Sequence, residues 1–194
     1  MGHARRIASL SVPVLALSLL GTPALAGPAA AQLTCTAATL ASASTGLTMA
    51  GDPADATVEI ESTYAACSDT RPDNKPDHRI IGAKVEAPEP GSIKGTCGEF
   101  EAKAKLRFSW LLADGSEGQP TTLEITHAQK GEEVTSHEIT ADGGDLDDWD
   151  VEIAAANASE IKSQVAGACT SEEGIKRIAP QLSFSFSNNP WSRG

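Results

Sequence analysis

The stretch Lys103-Ala104-Lys105-Leu106-Arg107-Phe108-Ser109-Trp110-Leu111-Leu112 decides the fold, because its apolar and polar residues alternate with a period of two. Successive side chains of a β-strand point to opposite faces of a sheet. The pattern therefore predicts a half-buried central strand whose inward face carries Ala104, Leu106, Phe108 and Trp110. Two of the eight aromatic residues of the chain belong to that inward set.

Short alternating segments recur on both sides of this strand, separated by Gly, Pro and Asp. They cover residues 57–64, 79–85, 121–127, 133–140, 151–153 and 182–186. In the first of them we expect Tyr64 to point toward the core. Residues 91–98 are expected to form a connection, and residues 154–167 favour one or two helical turns. Many short strands with frequent turn signals predict an all-β fold, specifically an immunoglobulin-like antiparallel β-sandwich.

Residues 1–31 are typical of a secretory signal, with a basic start at Arg5 and Arg6, an apolar run and a stretch of small residues. Cleavage is predicted after Ala26 or after Ala31. A retained membrane anchor is the alternative, but the apolar run is short for a span of about 20 residues. The sequence thus predicts a secreted protein with one domain over residues 32–187, a frayed tail at 188–194 and no membrane contact after signal removal.

The charge of the chain excludes some partners. It carries 15 Lys and Arg residues against 26 Asp and Glu, a formal net charge of −11. Removing Arg5 and Arg6 with the signal leaves 13 basic residues and a net charge of −13. This acidic excess disfavours binding to nucleic acids and to anionic membrane surfaces.

Four cysteines, Cys35, Cys67, Cys97 and Cys169, follow the predicted signal. An even number in an exported chain indicates two structural disulfides, and three pairings are open. No C-x-x-C spacing is present, which disfavours a metal site. Bridges that close loops of tens of residues stabilise a fold by about 2–4 kcal/mol each.

The order of several motifs resembles one known family. The motifs are Thr34-Cys35, Gly46-Leu47-Thr48, Tyr64 to Cys67, Gly95-Thr96-Cys97, a strand ending at Trp110 before a Gly-bearing turn, Cys169, and Leu182-Ser183-Phe184-Ser185-Phe186. Together they resemble small secreted β-sandwich proteins of actinomycetes whose molecular role is not established. The resemblance implies the fold and the compartment and brings no catalytic residues. The chain departs from the family in its longer turn after Trp110, at residues 111–115.

The spacing of the cysteines disfavours two other families of secreted proteins. The subtilisin-inhibitor type has a closely spaced cysteine pair that is absent here. The enediyne-carrier apoproteins have short disulfide loops, whereas the cysteines of this chain lie about 30 or more residues apart.

The densest acidic cluster is Asp142-Gly143-Gly144-Asp145-Leu146-Asp147-Asp148-Trp149-Asp150. Oxygen-rich loops of this kind suit Ca²⁺, although the spacing differs from that of an EF-hand. If calcium binds, we expect Asp145, Asp147 and Asp150 to be its ligands. A solvated acidic turn is the alternative, and no other cofactor is expected.

Histidines and tryptophans are the remaining candidates. His78, His127 and His137 are candidates for a metal site or for general bases, and His127 and His137 approach each other if the hairpin register allows. Surface histidines on an edge hairpin are the alternative. Trp149 is the candidate binding aromatic, since exposed Trp stacks on sugar rings, and Trp191 is the second. Trp149 anchoring its loop in the core is the alternative.

These features predict a secreted, non-enzymatic interaction or binding module of unknown ligand. A protein partner is favoured over a cell-wall glycan. The alternative is a secreted hydrolase or a carbohydrate-binding module that uses the acidic loop, residues 142–150. An enzyme is expected to gather carboxylates and a histidine in one cleft, whereas a binding module is expected to present an apolar patch with scattered charges.

Overall fold

The computed structural model describes residues 32–49, 51–72, 74–131 and 133–188. The predicted signal, Trp191 and most of the predicted tail therefore lie outside the described residues. Twelve strands and one helix are described, with short 3-10 turns at Pro76–His78 and Gly144–Leu146. In chain order they are β1 Leu33–Ala38, β2 Ala41–Leu47, β3 Ala54–Ile60, β4 Thr63–Asp69, β5 Ile80–Glu86, β6 Gly91–Thr96, β7 Glu99–Leu112, β8 Thr121–Lys130, β9 Glu133–Asp142, β10 Asp150–Ala155, α1 Ala158–Cys169, β11 Ile175–Ile178 and β12 Gln181–Ser187.

The strands form one antiparallel sheet. Its order is β10-β12-β1-β4-β5-β7-β6-β3-β2-β11, while β8 pairs with β7 and β9 pairs with β8. The all-β fold class is confirmed. The finer expectation of an immunoglobulin-like sandwich stays a prediction.

The predicted central strand is confirmed as β7, and it begins four residues earlier than the alternating stretch. Leu106, Phe108 and Trp110 are buried on one face as expected, and Phe100 continues the same alternation. The Phe108 ring stacks on Trp110 with centroids 5.1 Å apart. It also forms a T-shaped contact with Phe184, from β12, with centroids 5.1 Å apart. Aromatic pairs at such separations stabilise a fold beyond the contribution of the apolar surface that they bury.

β7 pairs with three strands, because two different strands share one of its two edges. Along one edge it pairs with β8 from Glu99 to Phe108. Along the other it pairs with β6 from Glu99 to Lys103 and with β5 from Arg107 to Leu112. Residues 104–106 therefore lie where β5 and β6 separate. The connection between those two strands carries Pro88 and Pro90, which have no N–H to offer a ladder.

Two hydrophobic clusters form on this framework. The main cluster contains Phe108 and Trp110 of β7 together with residues of β1, β5, β8 and β12. The second cluster joins the buried face of α1 to β2 and to the start of β7, through Ile161, Val165, Leu47 and Phe100. The predicted helical turns are thus a 12-residue helix, and Ile161 and Val165 are both buried. Across the described residues, no helix combines the length and the apolar composition that crossing a bilayer requires.

The disulfides pair Cys35 with Cys67 and Cys97 with Cys169, which resolves the three possible connectivities. Cys35 and Cys67 are opposite residues of the neighbouring strands β1 and β4. Cys97 follows β6 and Cys169 ends α1, so this bridge fastens the helix to the sheet. Loops of 32 and 72 residues are closed, and the loss of chain entropy on closure corresponds to about 4 kcal/mol for each.

Two expectations were wrong. Tyr64 does not face the core, since 79% of its surface is exposed. The chain breaks after Ile60, and the new strand β4 points Ala65 and Asp69 inward, which places Tyr64 on the opposite face. Residues 91–98 are not merely a connection, because residues 91–96 form β6, which pairs with both β3 and β7.

A buried carboxylate organises the loop after β4. Asp69 accepts hydrogen bonds from Arg71 Nη2 at 2.6 Å, Asn74 Nδ2 at 3.1 Å and the Ile80 backbone N–H at 2.9 Å. Burial alone would raise the pKa of Asp69, but the hydrogen bonds from Arg71 and Ile80 outweigh it and lower the pKa below its ordinary 3.8. The ionised carboxylate is therefore the stable form within the fold.

We expect Asp69→Ala to lower the free energy of unfolding by about 3 kcal/mol, because it leaves the Arg71 charge and the Ile80 N–H without their partner. Urea denaturation at pH 7 measures the change. The contribution of Asp69 is present above pH 3.8 and is lost as the pH falls through its lower folded-state pKa. Asp55→Ala is the matched control, since it removes an exposed ion pair with Lys94 and should cost below about 1 kcal/mol. Equal losses in the two variants would contradict the prediction.

Candidate binding cavity

An apolar cavity of about 250 Å³ lies between the two hydrophobic clusters. Its wall takes Leu106 and Ile153 from the main cluster and Phe100 and Val165 from the second. Polar atoms contribute almost nothing to its surface, and it is partly open to solvent. Most of the remaining wall is aliphatic, supplied by Leu47, Val58, Ile60, Ile93, Ile125, Ile175, Ile178 and Leu182.

The cavity follows from the divided edge of β7 and from small side chains. Ala104 and Leu106 belong to the segment where β5 and β6 separate, and both line the cavity. Ala41 and Ala43 of β2 also line it. The single methyl group of each of these three alanines leaves space that Leu or Ile would fill. Small side chains therefore contribute to the gap between the two clusters.

The cavity is large enough to hold a small molecule. An engineered apolar cavity of roughly 150 Å³ takes up benzene, and this one is larger. Its concave, apolar and partly open surface has the properties typical of a ligand site.

Every charged residue in the wall is basic. Lys103, Lys176 and Arg177 line the cavity, and among the residues that the structure describes no Asp or Glu does. The Lys103 ammonium is 2.8 Å from the Glu101 carboxylate. Lys176 and Arg177 are exposed and have no ion-pair partner within the described ranges. In a chain with 26 acidic and 15 basic residues, this bias stands out from the surrounding surface.

The predicted approach of His127 and His137 is confirmed. The two residues are direct partners in the β8–β9 register, and their Nδ1 atoms are 3.2 Å apart. His127 is 5% exposed and lines the cavity, whereas His137 is exposed. Burial lowers the pKa of His127 below its ordinary 6.5, and His137 acts in the same direction, while contact with the Gln129 side chain opposes them. His127 is therefore held in its neutral form, and His78 lies apart on the turn before β5.

The acidic loop gains no support as a metal site. Within residues 32–49, 51–72, 74–131 and 133–188, no three His, Cys, Asp or Glu side chains are placed to hold a metal ion. Asp145, Asp147 and Asp150 are all exposed, and Asp147 Oδ1 accepts a hydrogen bond from the Gly143 N–H at 3.0 Å. The calcium site at these three residues stays a prediction.

Trp149 lies against the fold. It is half-buried and packs against the main cluster. The Arg71 guanidinium carbon lies 5.9 Å from the centroid of its ring, within the range of a cation–π contact. This geometry favours an anchoring role. A sugar-binding role for Trp149 stays a prediction, and Trp191 lies outside the described residues.

No protein-family model, curated protein or solved structure matches this chain. The resemblance to secreted actinomycete β-sandwich proteins therefore stays a prediction, and the candidate site is argued from its geometry alone.

Sequence reasoning missed the cavity because its wall comes from many separated elements. Ala41, Ala104 and Ile178 are ordinary strand residues with no local signature. One indirect signal was available. Alanines on the inward face of a central strand, as at Ala104, leave room that another element has to fill.

We expect the stability of the protein to fall between pH 7 and pH 5, because the unfolded state binds a proton at His127 more readily than the folded state. The loss begins near the ordinary pKa of 6.5 and levels off below the lower folded-state pKa. Thermal unfolding at several pH values measures it. His127→Gln should flatten this part of the pH profile, and His78→Gln, at an exposed position, should leave it unchanged. An identical profile in wild type and His127→Gln would contradict the assignment.

Proposed function

We propose that this protein is a secreted, non-enzymatic binding protein whose ligand is a small apolar molecule held in the cavity between the two clusters. The observation that carries the proposal is the composition of the wall. Its surface is almost entirely carbon, it is partly open to solvent, and no carboxylate of the described part of the chain lines it. Ligand sites are typically concave, mostly apolar and few in each protein.

The same wall argues against acid–base chemistry in the cavity. Of the described histidines only His127 lines it, and none of the carboxylates of residues 142–150 belongs to the wall. General acid–base catalysis needs such groups within hydrogen-bond reach of one substrate. The hydrolase and the carbohydrate-binding module stay alternatives without a specific observation in their favour.

An extracellular location is part of the proposal. Two disulfides are compatible with an oxidising compartment, and the predicted signal supports export. The preference for a protein partner over a cell-wall glycan also stays a prediction. A small ligand is favoured here because the cavity is recessed between clusters rather than spread over a flat face.

The test is a titration of the purified, oxidised protein with N-phenyl-1-naphthylamine, a neutral dye that fluoresces in apolar surroundings. We expect saturable binding of one dye per chain. Ala104→Ile should weaken binding at least tenfold, since its added carbons occupy the cavity, while the melting temperature stays equal or rises.

Ala154→Ile is the matched control, because Ala154 is exposed on β10 and does not line the cavity. It should leave dye affinity unchanged. If Ala104→Ile lowers the melting temperature, the smaller change Ala43→Val replaces it. Absence of saturable dye binding to the wild type, or equal binding by wild type and a stably folded cavity-filled variant, would overturn the proposal.

A further inference from the structure

We infer that the ligand of this cavity is a single-chain amphiphile, an aliphatic chain that ends in a carboxylate. The inference rests on the proposed function and deepens it by naming the ligand class. It is carried by two properties of the wall, its aliphatic interior and its basic edge.

The interior suits one aliphatic chain. Apart from Phe100 and His127, the apolar side chains of the wall are aliphatic. The volume of about 250 Å³ exceeds the roughly 150 Å³ that takes up benzene. It is below the 300–1,000 Å³ usual for drug-sized ligands. One chain of modest length fits this space, and the two chains of a membrane lipid do not.

The basic edge lies on β11. Lys176 and Arg177 follow one another between Ile175 and Ile178, which are half-buried in the wall, whereas the two charged residues are exposed. The cations therefore mark the place where the apolar wall meets solvent. An anionic head group would reach them while its chain remained in the cavity.

The surrounding charges leave these cations available. The nearest acid that the register defines is Glu59, which lies two strands from Arg177 in one row, because Arg177 pairs with Ser42 and Ser42 pairs with Glu59. Strands are about 4.8 Å apart, so that row places the two backbones about 10 Å from each other. No ion pair within the described residues involves Lys176 or Arg177.

The experiment measures displacement of the neutral dye by three probes of equal chain length, decanoate, decanol and decylamine. We expect decanoate to bind the wild type about fivefold more tightly than decanol, and decylamine to bind most weakly. The variant Lys176→Glu with Arg177→Glu should weaken decanoate binding about tenfold and leave decanol binding unchanged.

Lys75→Glu with Arg79→Glu is the matched control, since both positions are exposed, lie off the cavity and change the net charge equally. It should leave decanoate affinity within twofold of wild type. Equal affinities of decanol and decanoate, or equal losses in the two double variants, would overturn the carboxylate assignment while the binding function stood. Failure of the dye and all three probes to bind would overturn both.

Discussion

A β-strand has only two edges, and β7 uses them to hold three neighbours. One edge is given to β8 over ten residues, and the other is shared by β6 and β5. The sheet must divide where the sharing changes, at residues 104–106. Lys105 lies at this division and contacts Glu124 of β8 at 2.8 Å and Glu89 of the β5–β6 connection at 3.5 Å. The cavity, both hydrophobic clusters and the position of α1 all depend on this division.

The two disulfides stabilise the fold around the cavity, because each closes a long loop. The Cys97–Cys169 bridge is also placed to protect the cavity wall. Cys97 lines the cavity itself, and Val165, on the buried face of α1, lies one turn before Cys169. Covalent attachment of the helix thus keeps this side of the wall in place.

Much of the fold could be predicted because the relevant signals are local. The alternation around Phe108 and Trp110 defines a strand and its buried face without knowledge of any partner. The same reasoning failed at Tyr64, because a break after Ile60 reversed which face of the following strand is buried, and no Gly or Pro marks that break.

The cavity could not be predicted for a different reason. It depends on which strands lie beside each other, and long-range pairing leaves no trace in the composition of a single segment. The hydrogen bonds of Asp69 could not be predicted, because the sequence of a polar segment does not show whether the carboxylate of its Asp is buried or solvated.

The shared edge of β7 also determines how the protein unfolds. Two hydrophobic clusters would ordinarily suggest two units able to unfold separately. Here the start of β7 supplies Phe100 to one cluster and its end supplies Phe108 and Trp110 to the other. Unfolding of either half removes backbone hydrogen-bond partners from the same strand, the 14-residue β7. We therefore expect the described residues to unfold in one cooperative transition, with neither half stable as a separate fragment.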